Sequence, residues 1–381
     1  MPPVVHFEER VRRQLGRVVH RELVALAVLA VVGVAMFLLT RELAASNASV
    51  RRRDAASWHA TGRAALSEGH TERALLALRR AAHINRGDRD VALSLATALE
   101  AAGNNREAAA VLEDLRARQP DAADVNLELA RLSTRDNRLP AAIRYYQDAL
   151  DALWSPASID ERSAIRREFI TVLTTRGERA RALSQGLVYA AELPPTTASQ
   201  MEAASLLLQL GDPARALSRY TGVLAAEPTN ATALAGAGQA AFALGDYSVA
   251  RRYLSQLTSP DDRLASMKRV AELVAALDPL APRLGAGERE RRLQQVLAHA
   301  GVRLSTCTAD PALATAVTQL QEPPTPSARR PSHDAVTQAD RFEEGLALAA
   351  RVERETTSCR PPDEGGQAIT IIARQRGLEE E

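Results

Sequence analysis

Aromatic side chains are scarce: phenylalanine, tryptophan and tyrosine together make up 3% of the 381 residues. Strands draw on aromatic and β-branched residues, so this shortage, beside an abundance of alanine, argues for closely packed helices and an all-α fold. Lysine is nearly missing too. Lys268 is the only one, and arginine carries the rest of the positive charge; we read this bias as genomic base composition, of the kind met in GC-rich bacteria. Net charge is also close to absent, at +1 from 48 basic and 47 acidic residues. No overall field therefore points to nucleic acid or to an acidic substrate.

Motifs of chemistry are missing as well. The histidines, His6, His20, His59, His70, His83, His299 and His333, include no pair at metal-ligand spacing. There is no Walker phosphate loop and no G-x-S-x-G elbow. The two cysteines are too far apart in sequence for a C-x-x-C redox pair. Acidic pairs such as Glu8 and Glu9 or Asp261 and Asp262 stand at ends and turns, where solvation and helix capping account for them. The sequence thus offers no catalytic residues, no cofactor site, no metal site and no evident small-molecule substrate.

What the chain does have begins at its N-terminus. Leu23 to Leu39 reads "LVALAVLAVVGVAMFLL" without a charge, the short end of what spans a bilayer. A transmembrane signal anchor is expected over 23–40, after a short cytoplasmic segment, 1–22, and before a linker, 41–54. Arg10, Arg12, Arg13, Arg17 and Arg21 precede the run, whereas Arg41 and then Arg51, Arg52 and Arg53 follow it. This asymmetry favours a cytoplasmic N-terminus. The expected location is a bacterial inner membrane, crossed once, with the remainder periplasmic. A cleaved signal peptide is the rival, since "LAASNAS" at Leu43 to Ser49 offers small residues for processing; the apolar run is longer than the usual signal core.

Beyond residue 54 the sequence repeats. Ala74, Ala108 and Ala142 are evenly spaced, a six-residue insertion follows at Ala157 to Arg162, and the spacing resumes with Ala182, Ala216 and Ala250. Five residues ahead of each stands Gly69, Gly103, Asn137, Gly177, Gly211 or Gly245, residue types that accept the left-handed backbone at a helix end. Apolar residues in the segment before each stop recur at three- and four-residue steps, as in Leu95 and Leu99. A second helix follows, closing in some units at Pro120, Pro194 or Pro228. Each unit is a helical hairpin.

These units resemble tetratricopeptide repeats, with Trp58, Gly62, Gly69, Ala74, Leu78 and Ala81 in register in the first of them. The resemblance covers 55–264 in six units, at 55–88, 89–122, 123–156, 163–196, 197–230 and 231–264. It departs at Gly186, where a bulky residue is usual, and at Arg86, Trp154 and Asp262, which stand where a proline would be. The family implies an α-solenoid in which no hairpin buries its apolar stripe alone. In the family, first helices line a concave groove for peptide or protein partners. The matching positions here are His59, Arg63, Arg131, Arg135 and Arg167, arginines able to receive an acidic segment or simply to be solvated beside acids.

"LAGAGQAAFALGDYSVA", Leu234 to Ala250, contains a G-x-G-x-x-A spacing through Gly236, Gly238 and Ala241. A dinucleotide turn would follow a strand. Here a proline-ended helix precedes it, and Gly238 shares its place with Gly62, Ala96, Ala130 and Ala204, so both glycines are read as packing residues. Beyond 264, Ser266 to Leu277 and Glu288 to Ala300 read as capping helices within 265–306. A tail, 307–381, follows, with a flexible connection at 321–333, one helix at 334–355 and a strand-like run, "AITII", at Ala368 to Ile372. In an oxidising compartment Cys307 and Cys359 would pair and tie the tail to the cap; two free thiols are the alternative.

The function expected from the sequence is a membrane-anchored scaffold binding protein partners in an envelope complex, of the polysaccharide export, secretion or cytochrome maturation type. Two alternatives stand beside it: a cytoplasm-facing regulatory subunit of a membrane enzyme or secretion machine, and an enzyme with its chemistry in the tail.

Overall fold

The computed structural model describes residues 5–152, 154, 158–307, 310–322 and 331–378, with side chains for all of these except 5–25, 27–28 and 331–339. Among the described residues there is no strand. Met1–Ile165 and Arg166–Glu381 form two compact units, taken here in turn.

The first unit opens with a helix of 63 residues, α1 (Val5–Ser67). It runs unbroken through the apolar segment and through 41–54, which we had expected to be a linker. That stretch contains neither glycine nor proline, so nothing in it stops a helix. The last turns of α1 are the first helix of the first hairpin. Five helices follow: α2 (Thr71–Ile84), α3 (Arg89–Ala101), α4 (Asn105–Arg118), α5 (Ala123–Arg135) and α6 (Leu139–Asp151). From α1 to α6, consecutive helices pack on one another.

In the second unit the remainder of α7 (Ile159–Thr175) is followed by α8 (Arg179–Glu192), α9 (Thr197–Gln209), α10 (Pro213–Ala226), α11 (Ala231–Ala243) and α12 (Tyr247–Leu254). At 17 residues α7 is one turn longer than the 13-residue α3, α5, α9 and α11. The described part of the insertion, 158–162, supplies that turn.

The hairpin turns behave as their residue types dictate. All six stops have positive φ, including the one non-glycine, Asn137 at 59°. At Gly103 the amide bonds Glu100 O (2.9 Å) and the next amide, of Asn104, bonds Leu99 O (2.8 Å), which satisfies carbonyls a helix end leaves open. The six period-setting alanines are each at most 1% exposed, because helices approach there too closely for a larger side chain. Where the first helix comes closest, even alanine is too large. A Cβ on Gly62 would lie 2.5 Å from Leu78 Cγ, and one on Gly238 2.5 Å from Leu254 Cδ2. Gly236 has the Tyr220 ring against it, with a Cβ only 2.2 Å from Cζ. The departure at Gly186 has a similar cause: Leu210 fills the space, leaving 2.3 Å for a Cβ.

A direct test follows. Gly238→Val forces Leu254 off its position and is expected to cost about 1–3 kcal/mol by overpacking. Gly222→Ala, at a helical site with nothing within 4 Å, should be neutral or add up to about 1 kcal/mol. Urea unfolding of both variants checks this, and equal stability for the two would remove the packing role of Gly238.

The end of the second unit departs from a simple series. It contains α13 (Asp262–Leu277), α14 (Ala286–Thr306), α15 (Pro311–Gln321), α16 (Pro331–Glu355) and α17 (Glu364–Gln375). Helix α13 packs on α12 and, on another side, chiefly on α17, while α14 packs on α16 and α15. A last hairpin is thus built from α13 and α17, with three helices inserted between them in sequence. One apolar cluster, including Val270, Leu293, Leu297, Phe342, Leu346, Ile369 and Ile372, joins all five helices.

The tail differs from its sequence reading. The strand-like "AITII" lies within α17: Ala368, Ile369, Ile372 and Ala373 are buried at helical spacing. Helix α15 was not anticipated. Helix α16 begins at Pro331, earlier than 334, with proline in the first turn, where its missing N–H costs nothing. Of the connection expected at 321–333, Gln321 ends α15 and 331–333 belong to α16; 323–330 lie outside the described residues.

Candidate binding surface

First helices of neighbouring hairpins lie side by side in the first unit, so residues about one period apart meet. His59 Nε2 on α1 is 2.8 Å from Ser94 Oγ on α3. Arg89 pairs with Asp124, and Arg135 on α5 with Glu100 on α3. Burial pushes the Glu100 carboxyl above its ordinary pKa, against the lowering effect of Arg135. Arg131 donates to Glu128 at 2.7 Å, within α5. Arg63 is exposed on α1. The lengthened α7 closes one side of a cleft of about 590 Å³ lined by Leu127, Arg131, Trp154, Glu161 and Ile165. The face is therefore of mixed charge: Arg89, Arg131 and Arg135 are paired with acids of this chain, and an acidic ligand that takes them has to exchange with those acids.

In the second unit Arg167 is 3.7 Å from Glu202, which also accepts a hydrogen bond from the Tyr189 hydroxyl. Burial, and then the carboxylate, push the Tyr189 phenol up to about 12. Sequence reasoning named the cations and missed these partners, of which Glu100 and Glu202 lie on other helices than the arginines they face.

It also missed the most buried ion pair among the described residues. Arg303 on α14 and Glu353 on α16, 4% and 1% exposed, pair at 2.8 Å. His299 Nε2 lies 3.3 Å from both Glu353 Oε1 and Asp363 Oδ1. Gly365 and Gly366 open α17 against them: a Cβ on the first would meet His299 Cε1 at 2.7 Å, and on the second Glu353 Oε2 at 2.3 Å. The glycines let an imidazole and a carboxylate reach the first turn of a helix, whose positive end favours the anion. Near these groups, Cys307, at the end of α14, is bonded to Cys359, with Cα atoms 5.9 Å apart. Among the described residues no group of three or more His, Cys, Asp or Glu side chains is placed to hold a metal ion.

The interaction of the His299 N–H with the accepting Glu353 carboxylate, assisted by the charges of Asp363 and Glu353 and opposed by burial and Arg303, raises the pKa of His299. A group raised in the folded state contributes stability that is full below its unfolded value, near 6.5, and is lost as pH climbs through the folded value. The C-terminal helices should therefore melt higher at pH 6 than at pH 8, and His299→Gln should flatten that difference. Thermal melts at both pH values check it; an unaltered slope in the variant would assign the pH effect elsewhere.

Comparison with known families bears on the repeats directly. Two tetratricopeptide repeat family models match the chain, at residues 93–157 and at residues 207–277. The chain carries tetratricopeptide repeats. Repeats of this family support a scaffold for protein–protein interaction. Solved structures similar to the chain include the protein PilF from Pseudomonas aeruginosa, at 20% identity and a TM-score of 0.36, covering 54% of this chain and 91% of that one. Another is YrrB, a repeat protein described as having an unusual peptide-binding site, at 19% identity and a TM-score of 0.36 over 49% and 95% of the two chains. A third, from Parabacteroides merdae, is 11% identical with a TM-score of 0.35 over 71% and 99%. Among curated proteins no relative matches the sequence significantly. One described helix, near the N-terminus, is long and apolar enough to cross a membrane or to serve as a signal sequence.

Proposed function

We propose that this repeat protein is a scaffold of the bacterial envelope, anchored in the inner membrane by the apolar part of α1, with its N-terminus in the cytoplasm and its repeats in the periplasm. It acts by holding protein partners in a complex of the polysaccharide export, secretion or cytochrome maturation type, and not by catalysis. The observation that carries this reading is the run of polar and charged side chains across neighbouring first helices, His59 to Ser94 and Glu100 to Arg135, beside the Trp154 cleft. A partner segment with its own acids and bases can replace those intramolecular pairs one for one, so the interface specifies register at little net cost in charge. The cytoplasm-facing alternative fits poorly with a bonded Cys307 and Cys359, since cytosolic thiols are kept reduced.

Arg131→Glu combined with Arg167→Glu is the test. Crosslinked native membranes should yield at least about tenfold less partner with this variant, the size expected when charge pairs of a desolvated interface are reversed. Undiminished recovery ends the groove reading. A phosphatase reporter fused after Glu381, active only outside the cytoplasm, checks the orientation.

A further inference from the structure

Helix α17 has 12 residues, too few to be stable alone in water, so its order depends on being held in place. It docks on α13 and on the turn before α12 through a bidentate pair of Arg269 with Glu364, a pair of Arg376 with Asp278, and a hydrogen bond from Gln375 Nε2 to Gly245 O at 3.0 Å. Its position is set by the segment that leads into it, 356–363, which ends at the cap residue Asp363, whose Oδ1 accepts from the Gly366 amide at 2.9 Å. Two anchors hold 356–361, and at the end of the segment Asp363 lies 3.3 Å from His299 Nε2. One is Arg303, which donates to Thr356 Oγ1 at 2.8 Å and to the carbonyls of Arg360 and Pro361. The other is the bond between Cys359 and Cys307. The sulfur-bearing residues differ in access: Cys359 is exposed, whereas Cys307 is 5% exposed.

We propose that the Cys307–Cys359 bond is a site of thiol–disulfide exchange with a protein dithiol of the C-x-x-C type, attacked at Cys359, and that opening it loosens α17 from α13. In the first step a thiolate of the dithiol attacks Cys359 Sγ and forms a mixed disulfide; Cys307 leaves as a thiolate and takes up a proton. The second thiol of the partner, deprotonated, then attacks its own sulfur in the mixed disulfide and releases Cys359, which is protonated in turn. Two electrons and two protons have passed to the chain, and the partner is left as a disulfide. With one anchor gone, 356–363 is left to Arg303 and to the contact of His299 with Asp363, and α17 opens more often, uncovering the apolar side of α13 around Val270 and Val274. The reaction does not depend on what the first-helix face binds.

The experiment uses the full-length protein in detergent micelles and follows hydrogen exchange with and without dithiothreitol. Exchange over 364–375 is expected to rise by at least about tenfold on reduction, and to return on reoxidation, while 231–243 stays protected, a local and not a global opening. Cys307→Ala with Cys359→Ala should show the fast exchange without reductant. A C-x-x-C protein whose second cysteine is serine should be trapped on Cys359, as read by mass spectrometry. Exchange unchanged within about twofold, a rise shared equally by 231–243, or trapping on Cys307 would each overturn the proposal.

Discussion

Arg303→Met is expected to destabilise the C-terminal helices by about 3–5 kcal/mol, the usual consequence of stranding one charge of a buried pair. Its partner Glu353 is 1% exposed, and neither of its oxygens has an aligned hydrogen bond. The carboxylate is therefore compensated mainly by the guanidinium 2.8 Å away and by His299 at 3.3 Å. Methionine fills much of the arginine's volume, so the loss reads as charge and hydrogen bonding more than as a cavity. In a thermal melt the second unit should unfold about 10 °C lower. Both tryptophans, Trp58 and Trp154, lie in the first unit, so hydrogen exchange, and not tryptophan fluorescence, is the suitable reporter. Adding Glu353→Gln to the variant removes the stranded charge and should recover most of the loss. A single variant within about 1 kcal/mol of the parent would mean that water already solvates the carboxylate.

Removing the covalent link is the other large effect. The cysteines are 52 residues apart, and closing a loop of that length restricts the unfolded chain enough to stabilise the folded one by about 4 kcal/mol on the chain-entropy account. Cys307→Ser with Cys359→Ser should lose about that much in urea unfolding without reductant. The unfolding slope of the variant should rise, because an uncrosslinked chain exposes more surface on unfolding. Since Arg303 and the link both hold 356–363, combining this double variant with Arg303→Met should not give the sum of the separate losses. A loss under about 1 kcal/mol would place the stabilisation in native contacts and not in loop closure.

The hairpins were open to sequence reading because their geometry imposes residue types at fixed steps. An alanine at the close approach and a left-handed stop five residues earlier recur whatever the rest of the unit contains, and Asn137 serves in place of glycine for the same backbone reason. Helix α17 was not open to it. Thr370, Ile369, Ile371 and Ile372 form a β-branched run that suggests a strand by propensity, and tertiary packing overrides that preference. Its leading Gly365 and Gly366 make room for His299 and Glu353, a role that no local sequence pattern marks. The same limit applies to the binding face. Arg131, Arg135 and Arg167 could be placed by register, but whether each guanidinium is free or engaged depends on Glu128, Glu100 and Glu202, and two of those pairs cross between helices. Repeat periodicity shows which positions share a face; it does not show which side chains on that face satisfy one another.

The unbroken course of α1 couples two parts of the chain by helical phase. With no glycine or proline between Arg41 and Thr61, the apolar segment and the first hairpin turn together as one rod. Each residue inserted into that stretch would raise the hairpin by about 1.5 Å and rotate it by about 100°. The direction in which the first hairpin faces relative to the apolar segment is thus written in the number of residues between Thr40 and Ala55, and a deletion of seven there, close to two full turns, should preserve that direction better than a deletion of five.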